Sequence, residues 1–215
     1  MCIRDRRNQC LVVGEDLGSV PEGFSEELAA ANILSYRVLF FEKEKERFHS
    51  PEEYPELALA VASNHDLPTV QGWWQTSDIE LKEGLELYPE GSAEARKERE
   101  QDRENLAAAL RQEGLIREDG LTNEQYFEGV HRLLGRTQSL LTLIPLEDIL
   151  QQPGQVNLPG STEKHPNWRR RLSKSLEGLA SDPRLGQVAT WMREERSQER
   201  SGANPRPEIQ TGSSQ

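Results

Sequence analysis

Leu59-Ala60-Val61-Ala62, running straight into Ser63-Asn64-His65-Asp66-Leu67-Pro68-Thr69, sets the reading of the fold. A short apolar run breaks off at residues that form loops and carry chemistry. The pattern recurs at Cys10 to Val13, before Gly14-Glu15-Asp16-Leu17-Gly18. It recurs again at Tyr36 to Phe41, before Glu42-Lys43, and at Leu140 to Pro145, before Glu147-Asp148. By periodicity alone, runs this short fit buried helix turns as well as strands. The loop-forming residues after each one favour strands, and the lack of alternation favours strands covered on both faces, as in parallel sheets.

Helical signals lie between these runs. Pro21 suits a first helical position and leads into Glu22 to Ala31. Ala93 to Gln112 is rich in strong helix formers and is closed by Gly114. Its charges surround most of its circumference, and only Leu106 and Leu110 near its end offer a packing face. Thr122 with Gln125 makes a capping box for a helix through Leu134, and Asp182-Pro183 opens another to about Glu195. Strands alternating with helices predict an α/β fold with a parallel sheet, interrupted by a solvated helical insertion over about 77–135. The polar residues sit just past the strand ends, where α/β barrels place their catalytic groups. The Gly-, Pro-, Ser- and Gln-rich residues from 197 to 215 predict a disordered tail.

A formal charge of −11 repels phosphate backbones and argues against nucleic acid as a partner, while a neutral glucan meets no such penalty. Two cysteines, Cys2 and Cys10, are too few for a disulfide framework and fit free thiols in a reducing cytoplasm. No apolar stretch approaches bilayer length, and Met1 to Arg7 lacks the apolar core of a signal peptide. That start fits poorly with the strand after it and is expected to be a scar of truncation or sequence assembly.

Four constellations carry chemistry. Glu15, at the end of a buried strand, is expected to be partly desolvated, which suits a carboxyl to donating a proton; on this motif alone, accepting hydrogen bonds from loop amides or capping the helix near Pro21 is the favoured reading. Asn64, His65 and Asp66 can hydrogen-bond sugar hydroxyls, and the carboxylate can stabilise positive charge at an anomeric carbon. A loop cap and a packed histidine are the plain alternative, and no further ligand at metal spacing follows. Trp73 and Trp74 offer flat faces for pyranose rings, or pack a helix against the sheet. Gln155 to Ser161 with His165 to Arg169 reads as a fixed structural loop.

Together, Gly14-Glu15-Asp16-Leu17-Gly18, Asn64 through Trp74, Ile144-Pro145-Leu146-Glu147-Asp148-Ile149-Leu150 and Val156-Asn157-Leu158-Pro159-Gly160-Ser161 through Asn167-Trp168 resemble the bacterial amylomaltases. These are 4-α-glucanotransferases of the α-amylase clan. The resemblance covers residues 8–195 and is to the subgroup with a long charged helical insertion. It implies the C-terminal half of a (β/α)₈ TIM barrel over residues 8–180, followed by a C-terminal helix over 181–196. It implies α-1,4-glucans and maltooligosaccharides as partners, a cytoplasmic enzyme without metal or organic cofactor, and no membrane.

By the same resemblance Glu15 is the general acid/base after the fifth strand and Asp66 the transition-state stabiliser after the seventh. The resemblance makes His65 a substrate-binding residue, and Asn64 beside it and the flat face of Trp73 are expected to bind substrate with it. The family's nucleophile, an aspartate in an Arg-x-Asp-His motif, has no counterpart in this sequence, so the chain taken alone is expected to be inactive. An α-amylase-clan hydrolase and a non-catalytic truncated barrel are the alternatives.

Overall fold

The computed structural model describes residues 3–18, 20–117, 122–161 and 164–198. The expected tail, apart from its first two residues, lies outside them, as does Cys2. Helices α1 (Ile3–Asn8) and α2 (Phe24–Ala30) precede strand β1 (Ser35–Val38) and the hairpin of β2 (Lys43–Glu44) with β3 (Arg47–Phe48). Strand β4 (Ala58–Val61) leads to helices α3 (Val70–Trp74), α4 (Ser77–Gly84), α5 (Ala93–Gln112) and α6 (Asn123–Arg136). Then come β5 (Leu141–Leu143), α7 (Leu146–Ile149), α8 (Leu176–Ala180) and α9 (Pro183–Gln198).

The sheet is parallel in the order β1-β4-β5, each strand beside the next one after an intervening crossover. Val13 extends it by one parallel bridge to Leu34. The run from Cys10 is therefore a single bridge flanked by two backbone hydrogen bonds, Leu34 N–H to Val12 and Gly14 N–H to Leu34, and not the buried strand expected. Leu11 and Val13 are exposed because no further strand covers their outer edge among the described residues. β5 also departs from expectation, since Leu141 and Leu143 are exposed.

The register explains which face is covered. Tyr36, Leu59 and Leu141 stand side by side, with Val38, Val61 and Leu143 in the next row on the same face. That face is open at β5. Ala58 and Ala60 point the other way and are fully buried, and Ala60 joins a core built with Leu106, Leu110, Tyr126, Phe127 and Trp191. The helices thus pack on one side of the sheet.

α5 and α6 differ sharply within the expected insertion. In α5 most of the charged residues are exposed and none is buried, while Leu106, Ala107 and Leu110 are closed in. α6, by contrast, buries a broad face and packs along α9, so it is a core helix. Its start is fixed by the Thr122–Gln125 capping box, with the Gln125 N–H donating to Thr122 Oγ1 and the Thr122 N–H to Gln125 Oε1. α2 begins later than expected, at Phe24, because Gly23 takes a left-handed conformation and separates Pro21 from the helix.

Leu110 is fully buried between α5 and α6, whereas Leu176 is 75% exposed. Leu110→Ala is expected to lower stability by about 2–5 kcal/mol and Leu176→Ala by less than about 0.5 kcal/mol. Urea unfolding followed by circular dichroism measures both; equal effects would show that this core is not the one that holds the fold.

Candidate active site at the ends of the parallel strands

Apart from Tyr36 within β1 and Leu143 within β5, the residues of the site belong to segments outside the strands. After β4, Ser63 turns the chain by donating its hydroxyl to the Pro68 carbonyl at 2.5 Å. Asn64 accepts the Asp66 N–H on Oδ1 at 3.0 Å, closing an Asx turn. The turn ends the strand before His65, so His65 and Asp66 are not forced onto opposite faces. His65 Nε2 lies 3.4 Å from Asp66 Oδ2. Both side chains remain accessible to solvent, His65 more so than Asp66.

The loop is held from a distance in sequence. Asn157 donates its side-chain amide to Asp66 Oδ1 at 2.6 Å and its N–H to the His65 carbonyl at 3.0 Å. Gln155 donates to the carbonyls of both Asp66 and Asn157 at 2.7 Å. Asp66 is therefore oriented by its neighbours before any ligand arrives.

The helix after this loop, α3, is clamped at its start. The Val70 N–H donates to Asp148 Oδ1 at 2.7 Å, and Thr69 Oγ1 accepts from Gly72 while donating to the Gln152 carbonyl. A Cβ on Gly72 would sit 2.5 Å from the Pro153 carbonyl oxygen, so only glycine permits this approach. Asp148 is almost fully buried. Burial pushes its carboxyl up to about 7, against the lowering effect of the Val70 N–H and with a further rise from Glu147.

A cleft of about 280 Å³ opens between the ends of β1, β4 and β5, lined among others by Tyr36, Asn64, His65, Asp148 and Trp168. Neither Glu15 nor Asp66 lines it directly; Asp66 lies between the lining residues His65 and Leu67 in sequence. Glu15 is exposed, and the desolvation expected of it is not provided by the described residues. It lies close enough to Tyr36 for its charge to be felt there: burial raises the Tyr36 hydroxyl, a hydrogen bond with the Asn64 side chain lowers it, and Glu15 raises it. Asp16, next in sequence, anchors the Glu15 loop. Its buried carboxylate accepts from the Tyr36 N–H at 2.8 Å, from Arg37 at 3.1 Å and from Ser25 at 3.3 Å.

The structure thus brings Glu15, Asn64, His65 and Asp66 to one end of the sheet, through Tyr36. It does not bring Trp73. Trp73 is 5% exposed, stacked on Phe40 at 4.7 Å between ring centroids, with the Arg99 guanidinium 4.8 Å from its ring. Trp74 packs likewise between Tyr126 and Arg103. The expectation of a sugar-binding face at Trp73 is replaced by a core role, since α3 turns its tryptophans toward α5 and α6. Tyr36, Asp148, Asn157 and Trp168 join the site beyond the residues expected there; for Tyr36 the signal is that a tyrosine inside a parallel strand needs a partner for its hydroxyl.

A family model described as 4-alpha-glucanotransferase matches residues 2–177. The 4-alpha-glucanotransferase of Haemophilus influenzae is 31% identical over 193 residues, covering 86% of this chain and 28% of that protein. The one from Mycobacterium bovis is 29% identical over 206 residues, covering 90% and 28%. Among solved structures, the amylomaltase from Corynebacterium glutamicum superposes with a TM-score of 0.78 at 27% identity, covering 85% of this chain and 29% of its own. The chain spans less than a third of the length of these relatives.

The Asp148 carboxyl titrates at about 7 in the folded chain against an ordinary 3.8, so the folded state holds this proton more tightly than the unfolded one. Its stabilising contribution is present below about pH 4 and is lost as pH rises through about 7. Asp148→Asn keeps an oxygen acceptor for Val70 and cannot ionise. The thermal midpoint of the unmodified chain is expected to fall relative to this variant between pH 5 and pH 8. Calorimetry that finds the two curves parallel would show that Asp148 does not titrate in this range.

Proposed function

Because the chain belongs to the 4-alpha-glucanotransferase family, we propose that it supplies the acid/base and transition-state-stabilising side of a glucan-transfer site. In this reading residues 8–180 are the C-terminal half of a (β/α)₈ barrel with an insertion at about 77–135, and residues 181–196 are a closing helix. The open face of Leu141 and Leu143 is then the barrel interior, covered by strands supplied by the rest of a longer protein. One observation carries the functional proposal: a carboxylate, Asp66, held by Asn157 and flanked by His65, beside a cleft at the C-terminal ends of parallel strands.

The chemistry follows from charge and proton position. Glu15 protonates the leaving oxygen of an α-1,4 bond. A nucleophilic aspartate on the opposite face, about 5–5.5 Å from it, forms the covalent glucosyl-enzyme. That aspartate belongs to the Arg-x-Asp-His motif, which lies outside this sequence. Glu15, now ionised, takes the proton of an acceptor's 4-hydroxyl as the acceptor oxygen displaces the aspartate. Asp66, His65 and Asn64 hold hydroxyls of the donor sugar, and the Asp66 charge complements the oxocarbenium-like transition state. A formal charge of −11 repels the phosphate backbone of a nucleic acid. No helix of the described residues is long and apolar enough to cross a membrane. A cytoplasmic site of action belongs to the same proposal.

In the full-length enzyme Glu15→Gln is expected to lower kcat on maltotriose by at least about a thousandfold, because it removes the proton donor. Asp66→Asn is expected to lower kcat by about a hundredfold or more, with the fold retained by circular dichroism. Near-normal turnover in either variant would remove that residue from the mechanism.

A further inference from the structure

Trp168 is not explained by anything above. It lies 64% exposed on the rim of the cleft, with its ring centroid 5.0 Å from that of His65 at a tilt of 42°. Its φ of 59° places a bulky residue in the left-handed region, where glycine or asparagine is usual. No other aromatic residue of the described chain has a positive φ.

The surrounding loop enforces this conformation. The Trp168 N–H donates to the Val156 carbonyl at 3.2 Å. Asn167, one residue earlier, accepts the Leu158 N–H at 2.8 Å, pairs with His165 Nδ1 at 2.7 Å and donates to the Ser161 carbonyl. The backbone hydrogen bonds of the loop therefore fix where the indole stands, while its ring stays uncovered. A strained backbone that presents a large apolar face to water is a pattern of ligand-binding positions. Burying the ring in the core, as α3 does with Trp73, would use the same side chain for stability.

We propose that Trp168 is an aromatic platform on which one pyranose ring of an α-1,4-glucan packs, beside the hydroxyl-binding loop Asn64-His65-Asp66. This rests on the glucan-transfer reading. A pyranose has an apolar face of C–H groups and a rim of hydroxyls. A flat exposed ring next to His65, Asn64 and Asp66 matches both surfaces at once. The fixed backbone means that little conformational freedom is lost when the sugar arrives.

Maltoheptaose titrated into the full-length enzyme labelled with 5-fluorotryptophan tests the contact by fluorine NMR, with calorimetry as a second probe of binding. The Trp168 resonance is identified by its absence in Trp168→Phe. The expected result is a saturable shift of that resonance, about tenfold weaker binding in Trp168→Ala, and binding within about threefold of normal in Trp168→Phe. Calorimetric binding with an unmoved Trp168 resonance and an unchanged affinity in Trp168→Ala would overturn the platform and leave the transfer reading standing. Absence of binding by both probes in the unmodified enzyme would overturn the transfer reading, and the platform with it.

Discussion

Asn157 reaches across 91 positions of sequence to hold Oδ1 of Asp66, and the same residue's N–H holds the carbonyl of His65. Most of the site depends on this strap. A hydrogen bond to an ionised carboxylate contributes about 1.5–3 kcal/mol, more than a neutral one, and shorter range makes it directional. Without it the loop after β4 would be tied down only by its own Asx turn. With it, and with the bond from Gln155 to the Asp66 carbonyl, the segment after β5 and the segment after β4 form one unit. Asn64, His65 and Asp66 inherit their positions from that union.

The sheet beneath supplies the platform. The register pairs the last residues Val38, Val61 and Leu143 across the sheet, so the strands end at a common level. The aromatic and arginine ladder of Phe40, Trp73, Arg99, Trp74, Tyr126 and Arg103 then fixes α3 against α5 and α6. Arg99 is further locked by paired bonds to the buried Asp78, both at 2.8 Å. α3 leads directly out of the Asp66 loop, so rigidity on the covered side of the sheet is passed to the functional side. Asp16 plays the corresponding part for Glu15, holding β1 through the Tyr36 N–H.

Local chemistry was legible in the residues, and long-range closure was not. Ala93 to Gln112 with Gly114, the Thr122–Gln125 box and the run at 59–62 each state their element within a few positions, because capping and burial there are decided locally. The run at 36–41 is a strand only to Val38, after which Leu39–Phe41 winds into a turn of 3-10 helix and leaves Phe41 exposed. The placement of Glu15 and Asp66 just past segments of the sheet is legible from the apolar runs before them. Trp73 was misjudged because an aromatic face looks the same to sequence whether a sugar or Phe40 covers it. The run at 10–13 and β5 were read as buried because apolar content implies a cover, which the described residues do not provide. The strap from Gln155 and Asn157, and the left-handed Trp168, depend on partners far away in the chain. A run containing Asn, Pro and Gly announces a fixed loop without saying what it fixes.

The products formed from maltotriose separate the proposed transfer of glucan to a sugar acceptor from hydrolysis by water. Chromatography of the full-length enzyme's reaction, with reducing ends counted in parallel, separates the two outcomes. Transfer through a glucosyl-enzyme that Glu15 opens with an acceptor hydroxyl predicts glucose together with maltooligosaccharides longer than three units, at a constant number of reducing ends. Reducing ends that rise with turnover, with no chain longer than the substrate, would contradict it and assign the site to hydrolysis.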